Sequence, residues 1–259
     1  MTRIFVRDYE TSGVPIFSAV PSEDPRQPHI IEAGLALYDL ESRERLMAWH
    51  GFVRPDGLEA MPPEAYGLHG ITLEQAMTGI PRRLFVRILH SFSAAADYRV
   101  AHPKSFEDRM ERITIKRCHA DNPGDGLDAY ADEYKARDSR CTQSRSTPLV
   151  NAQRKADGGK AKTASLQEAY EFIVGRPMPT PHHRAWSDML NTADLWFALE
   201  DLQNGAMPPP DETGIGRSYG DHGKARPAAA TAAPVDRPAT LAERFGAKPR
   251  SILDVDLED

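Results

Sequence analysis

The stretch RIFVRDYETSG, Arg3–Gly13, holds the reading on which the fold turns. Its first residues alternate and are rich in β-branched and aromatic types, the pattern of a strand. It then runs into two acids, Asp8 and Glu10, one residue apart. Side chains at i and i+2 leave a strand on the same face, so these carboxylates project together. Like charges that close raise each other's pKa and destabilise a fold unless something positive sits between them. A divalent cation meets that need, and hard oxygen ligands suit Mg²⁺ or Mn²⁺. Two surface acids at a solvated strand end would read the same way, so the rest of the chain has to decide.

Working outward, HIIEAGLALYDL (29–40) and RLMAWHGFVRP (45–55) read as two further strands, joined as a hairpin through Glu41, Ser42 and Arg43. PPEAYGLHG (62–70) is a short helix, and Thr72 with Gln75 makes a capping box at the start of TLEQAM. IPRRLFVRILHSFSAAAD (80–97) is an amphipathic helix and YRVAH (98–102) a brief strand. SFEDRMERITIKR (105–117) spaces Phe106, Met110 and Ile113 for one helix face. Residues 119–163 are polar, carry GDG and GGK turn signals and read as an irregular excursion. SLQEAYEFIVG (165–175) and WSDMLNTADLWFALEDL (186–202) are the last helices. Three strands, helices, a strand and more helices predict an α/β domain with a mixed sheet.

Composition changes after residue 203, giving a domain over 1–203, a Pro/Ala/Gly-rich linker over 204–240 and a final segment over 241–259. That segment regains Leu241, Phe245, Ile252, Leu253, Val255 and Leu257, enough to dock on a partner or to pack as a helix on its own domain. No run of about 18 apolar residues occurs and the N-terminus lacks the look of a secretion signal, so the expectation is a cytoplasmic protein without a membrane partner. Cys118 and Cys141 form no CxxC pair, which speaks against a zinc knuckle or a disulfide framework. A net charge of −6 argues against a uniformly basic surface. Arg137, Arg140, Arg145, Arg154, Lys155, Lys160 and Lys162 nevertheless make one stretch locally cationic.

DYETSG has company. GLHGIT (67–72), IIEAGLALYD in the second strand, AHPKSFEDRM (101–110) and HRAWSD (183–188) accompany it along the chain and on suitable elements. Together they resemble the DEDDh 3′→5′ exonucleases, the family of polymerase proofreading subunits, with HRAWSD matching the HxAxxD element. The resemblance spans residues 8–188. It implies a ribonuclease H-like mixed β-sheet flanked by helices; it says nothing of the residues after 203, whose composition reads as a disordered or extended C-terminal tail. It implies two Mg²⁺ ions, with Mn²⁺ able to substitute, held by Asp8, Glu10, Glu107 and Asp188, and His183 as the base that deprotonates water. The product would be 5′-mononucleotides from single-stranded or frayed DNA 3′ ends, with RNA trimming as the other substrate choice. Thr11, His69 and Phe106 lie in the matching motifs and are expected at the substrate, with Arg154 and Lys155 guiding its backbone. The tail would dock to a polymerase or clamp.

Geometry is compatible with this. His183 and Asp188 are five residues apart, about 140° around an ideal helix, so both reach one centre only if the helix begins after His183. Pro179 and Pro181 predict that start, and His183 rather than His182 has the required spacing. The pattern breaks at AHPKSFEDRM, where counting from His102 puts the expected aspartate on Glu107, with Asp108 next and Pro103 in place of an asparagine. Neighbours on a helix point about 100° apart, and Phe106 aligns Glu107 with the site. These departures keep a second class open: a nucleic-acid-binding module of the same fold with little activity, docked to replication machinery.

Overall fold

Burial of all but its first residue makes β1 (Arg3–Thr11) the centre of a sheet rather than an edge. The computed structural model describes residues 1–20, 24–121, 123–124, 126–179 and 183–206. β1 pairs antiparallel with β2 (Ile30–Asp39), which pairs antiparallel with β3 (Arg45–Phe52). On its other side β1 runs parallel to β4 (Tyr98–Ala101), and β4 parallel to β5 (Ser139–Cys141), giving the order β3-β2-β1-β4-β5. Reaching a parallel neighbour requires a crossover. The chain supplies it through α1 (Pro63–His69), α2 (Leu73–Met77) and α3 (Arg82–Ala95). The capping box of Thr72 and Gln75 is present at α2.

Helices cover both faces. On one, Phe5, Tyr9, Ala33 and Leu35 pack against Phe85 and Leu89 of α3, Met110 and Ile113 of α4 (Lys104–Asp121) and Tyr134 of α5 (Leu127–Ala136). On the other, Ile4, Val6, Ala36 and Val100 meet Met189, Ala193 and Trp196 of α8 (Ala185–Gln203). Each large apolar side chain among them contributes about 1.5–3 kcal/mol when fully buried. Strand alternation then puts Asp8 and Glu10 on the α8 side and Arg7 and Tyr9 on the opposite one. α7 (Leu166–Val174) starts at a capping box of Ser165 and Glu168, stops at Gly175 in the left-handed region (φ 75°), and packs its buried face against α8.

The mixed α/β architecture expected from the sequence is present, with one correction. Residues 119–163 are not irregular: they finish α4 and form α5, β5 and α6 (Thr142–Ala156). β5 is three residues long and α6 carries Pro148 in its interior, so neither shows a local period; pairing with β4 and packing of Val150 on the α7 cluster hold them. The linker expected over 204–240 falls outside the described residues from 207 onward, and the docking segment over 241–259 and the extended tail fall outside them entirely. Among the described residues no helix is long and apolar enough to cross a membrane.

Candidate active site

The C-terminal end of β1 meets the start of α8. Asp8 and Glu10 are almost wholly buried there, opposite Gly34 and Glu32 of β2 in the antiparallel register. A Cβ on Gly34 would collide with the carbonyl group of Ala185, so the helix start approaches the sheet more closely than any other residue permits. α8 begins at Ala185 with Arg184 as its N-cap, leaving His183 just outside with φ 42°. The helix start expected after His183 is therefore found. Ligand atoms of Glu10, His183 and Asp188 lie within 4.8 Å of one another, which brings together groups separated by most of the chain.

Electrostatics mark the same place. Burial, then Glu107, Asp188 and Glu10, push the Asp8 carboxyl well above the usual carboxylate range. Burial, then Asp188 and Glu32, push Glu10 up to about 8, with Arg184 opposing. Glu107 on α4 is also raised well above its ordinary value, by burial and then, against the pull of Arg7, by Glu111, Glu10 and Asp108. Its Oε2 is buried with no hydrogen-bond partner among the described residues. Asp108 has a different position: it accepts from Arg7 Nη2 and from Ser139 Oγ (2.9 Å) on the far side of the strand. The acid that faces the cluster is Glu107.

Hard carboxylate oxygens with one imidazole, an orphaned buried oxygen and carboxyls pushed toward protonation by each other fit a divalent cation. The nearby guanidinium groups are engaged elsewhere, Arg7 with Glu111 and Asp108 and Arg184 with Glu32.

The remaining expected residues are distributed unevenly. The Thr11 hydroxyl donates to Gly13 O (2.7 Å), within the turn that leaves β1. His69 Nδ1 accepts from Ile71 N (2.9 Å), and its charge interactions with Glu32, His183 and Arg184 put it beside the α8 start. Phe106 is partly buried against the α3–α5 core. Arg154 pairs with Glu168 (2.7 Å) and donates to Lys162 O, whereas Lys155 is exposed. The histidine of the AHPKSFEDRM stretch, His102, is structural: it bonds Thr142 Oγ1 (2.8 Å) and Ala164 O, and burial pulls it down to about 4. Sequence reading missed Glu32, whose only signal is a charge inside the otherwise apolar run Ile30–Leu35.

No protein-family model matches the chain, and no curated protein matches it. Solved structures do match. E. coli exonuclease I in complex with a dA16 oligonucleotide aligns over 77% of this chain and 41% of its own, with 13% identity and a TM-score of 0.52. The same enzyme with a 5cy-dT13 oligonucleotide aligns over 79% and 42%, with 15% identity and a TM-score of 0.56. The nuclease domain of 3′hExo, a DEDDh family member, bound to rAMP, aligns over 78% of this chain and 92% of its own, with 15% identity and a TM-score of 0.52. The chain thus spans about two fifths of the exonuclease I chains it matches. Identities this low speak to architecture, and the architecture agrees with the mixed five-stranded sheet and its flanking helices: this chain has the ribonuclease H-like fold of the DEDDh exonucleases.

Proposed function

We propose that the chain is a metal-dependent 3′→5′ exonuclease that releases 5′-mononucleotides from single-stranded or frayed DNA ends. The observation that carries this is the meeting of Glu10, His183 and Asp188 within 4.8 Å, next to buried Asp8 and Glu107. Asp8, Glu10, Glu107 and Asp188 would hold two divalent ions, Mg²⁺ with Mn²⁺ as substitute. When bound, such ions polarise a scissile phosphate, lower the pKa of water and stabilise the leaving oxygen. His183, exposed at the α8 start, takes the proton of the attacking water and can pass it on to solvent. The cluster of acids repels phosphate until cations are present, so binding of the reactive phosphate is coupled to metal loading.

A nucleic-acid substrate is supported by the neighbours: exonuclease I is solved with DNA oligonucleotides and the 3′hExo domain with rAMP. Both sugars are represented, so DNA is the proposed substrate and RNA the alternative; a choice between them requires contact with the 2′-hydroxyl, and digestion separates them. A centre recessed between β1 and α8 favours a single strand, since a paired end reaches it only after fraying. Matched 5′-labelled DNA and RNA oligonucleotides, single- and double-stranded, test this in Mg²⁺ or Mn²⁺. Wild type should produce a ladder shortening from the 3′ end, and Asp8→Ala and Glu107→Ala should not. Protein that retains DNA without shortening it in either metal would be a binding module instead.

A further inference from the structure

One buried carboxylate beside the acid cluster has a full set of partners. Glu32 lies directly across from Glu10 and is fully shielded from solvent. Its oxygens accept from Arg184 Nε (3.0 and 3.2 Å), Arg184 Nη2 (2.5 Å) and the Ala185 backbone N–H (3.1 Å), and His50 Nε2 stands 3.0 Å away. Burial works against ionisation of Glu32, but hydrogen bonds from Arg184, His50 and Ala185 outweigh it and hold the carboxyl below the usual range. Its cross-strand partner Glu10 moves the other way. The two glutamates of this cross-strand pair face different partners: Glu32 is bonded by Arg184 and the Ala185 N–H, whereas Glu10 meets His183 and Asp188.

What Glu32 holds is the start of α8. The first N–H groups of a helix have no partner within it. Arg184 makes no side-chain cap, and Glu32 on β2 takes the Ala185 N–H in its place. The segment needs a restraint, because His183 sits at φ 42°, a region unfavourable to a non-glycine residue. Two residues along the same face of β2, Gly34 provides the space into which the Ala185 carbonyl fits.

We infer that Glu32 is a positioning residue: together with Arg184 and Gly34 it docks the start of α8 on β2 and so sets His183 and Asp188 opposite Glu10 and Asp8. Its kinetic consequence rests on the exonuclease reading; its consequence for metal affinity does not require turnover. Glu32→Gln keeps an acceptor for Ala185 N–H but loses the charge that holds Arg184. Arg184→Lys keeps a cation against Glu32 but loses the forked donation, and remains informative if Glu32→Gln does not fold. Gly34→Ala displaces Ala185 by steric conflict while leaving Glu32 and Arg184 in place.

The test pairs Mn²⁺ calorimetry on metal-free protein with digestion of a 5′-labelled single-stranded DNA, using wild type and these three variants, each checked for cooperative unfolding. Folded variants should bind Mn²⁺ about 10- to 100-fold more weakly and lose kcat by a similar factor, as loss of a partner behind metal-site residues does elsewhere. KM should stay within about threefold, because the interaction removed positions reacting groups rather than binding the strand. Mn²⁺ affinity and kcat both within about twofold of wild type in folded Glu32→Gln and Arg184→Lys would overturn the inference and leave the exonuclease reading intact. Wild type that binds Mn²⁺ but shortens no strand overturns the exonuclease reading, while the Mn²⁺ arm still decides the role of Glu32. Wild type that binds no Mn²⁺ overturns both.

Discussion

Arg7 and Asp8 are neighbours on β1 whose side chains enter two differently constructed regions. On the α3–α5 side, Arg7 Nε donates to Glu111 Oε1 (2.5 Å) and its Nη2 to Asp108, Arg99 Nη1 donates to Glu111 Oε2 (3.1 Å), and the Tyr9 hydroxyl donates to Glu111 (2.6 Å). Arg99 also stacks over Tyr134, 4.1 Å from the ring centroid. Here buried acids and bases answer one another. Around Asp8 and Glu10 on the α8 side, with Glu107 reaching them from α4, the carboxyls are raised by burial and by neighbouring acids, Asp188, Glu32 and Glu111 among them. Removing charge from water is costly in both regions, and among the described residues the basic partners pair with the acids of the first region more directly than with those of the second. The difference separates charge that builds the fold from charge that, on the proposed function, a divalent cation would answer.

The largest effect should come from the self-contained network. Glu111→Ala strips the shared acceptor from Arg7 and Arg99 and leaves both buried, a loss on the order of 3–5 kcal/mol in urea unfolding. Asp8→Asn should do the opposite in metal-free protein, raising stability by relieving repulsion among the acids. It should also remove the stabilisation that Mn²⁺ confers on wild type, which at about 100 times Kd amounts to about 2.7 kcal/mol. Equal destabilisation by the two substitutions would erase the distinction between the regions.

A smaller effect sharpens the comparison through pH. Glu10 has a folded-state pKa raised from 4.5 to about 8, so between those values the folded state retains a proton that the unfolded state has lost. The contribution of Glu10 to the stability of metal-free protein therefore falls as pH rises through that window and levels above about 8, and the raised Asp8 and Glu107 act in the same direction. Three histidines act in the opposite direction at its lower end: half-buried His29 is pulled down to about 3, buried His102 to about 4, and buried His69 is lowered as well, all from 6.5, so each adds stability as pH rises toward 6.5. The acid contribution is read cleanly from pH 6.5 to about 8. Urea midpoints should decline across that interval in wild type and less steeply in Glu10→Gln; a rising midpoint in wild type would contradict the assignment of Glu10 to the uncompensated region.

What was legible in the sequence follows the same division. Asp8 and Glu10 could be read because strand periodicity is local, and the α8 start could be read because prolines precede it. Glu107 could be aligned by counting, but the commitment of Asp108 to Arg7 and Ser139 depends on β1, α4 and β5 meeting in space. Glu32 gave only the sign of a charge in an apolar strand; its partner Arg184 is 152 residues away. The same reason hid α5, β5 and α6, whose short or proline-interrupted sequences acquire order by packing on distant elements.

The cationic stretch shows how far such distant partners change a reading of charge. Arg137 pairs with Glu133, Arg140 with Asp138, Arg145 with Glu200, and both Arg154 and Lys162 with Glu168. Much of the positive charge along residues 137–162 is thus answered by acids such as those of α5, α7 and α8, and Arg154 in particular joins α6 to the start of α7. Lys155 and Lys160 are exposed and available to a phosphate backbone. Neutralising these two to alanine should raise KM for a single-stranded oligonucleotide a few-fold at low salt with kcat unchanged. The slope of log affinity against log salt should fall by up to about 1.4, since each phosphate that a lysine no longer neutralises on a single strand accounts for about 0.7. Arg154→Ala should act mainly on thermal stability, by loosening the junction of α6 and α7. If Arg154→Ala instead changes the salt slope while the lysine pair leaves it untouched, the pairing with Glu168 yields to substrate, and the stretch belongs with the uncompensated region after all.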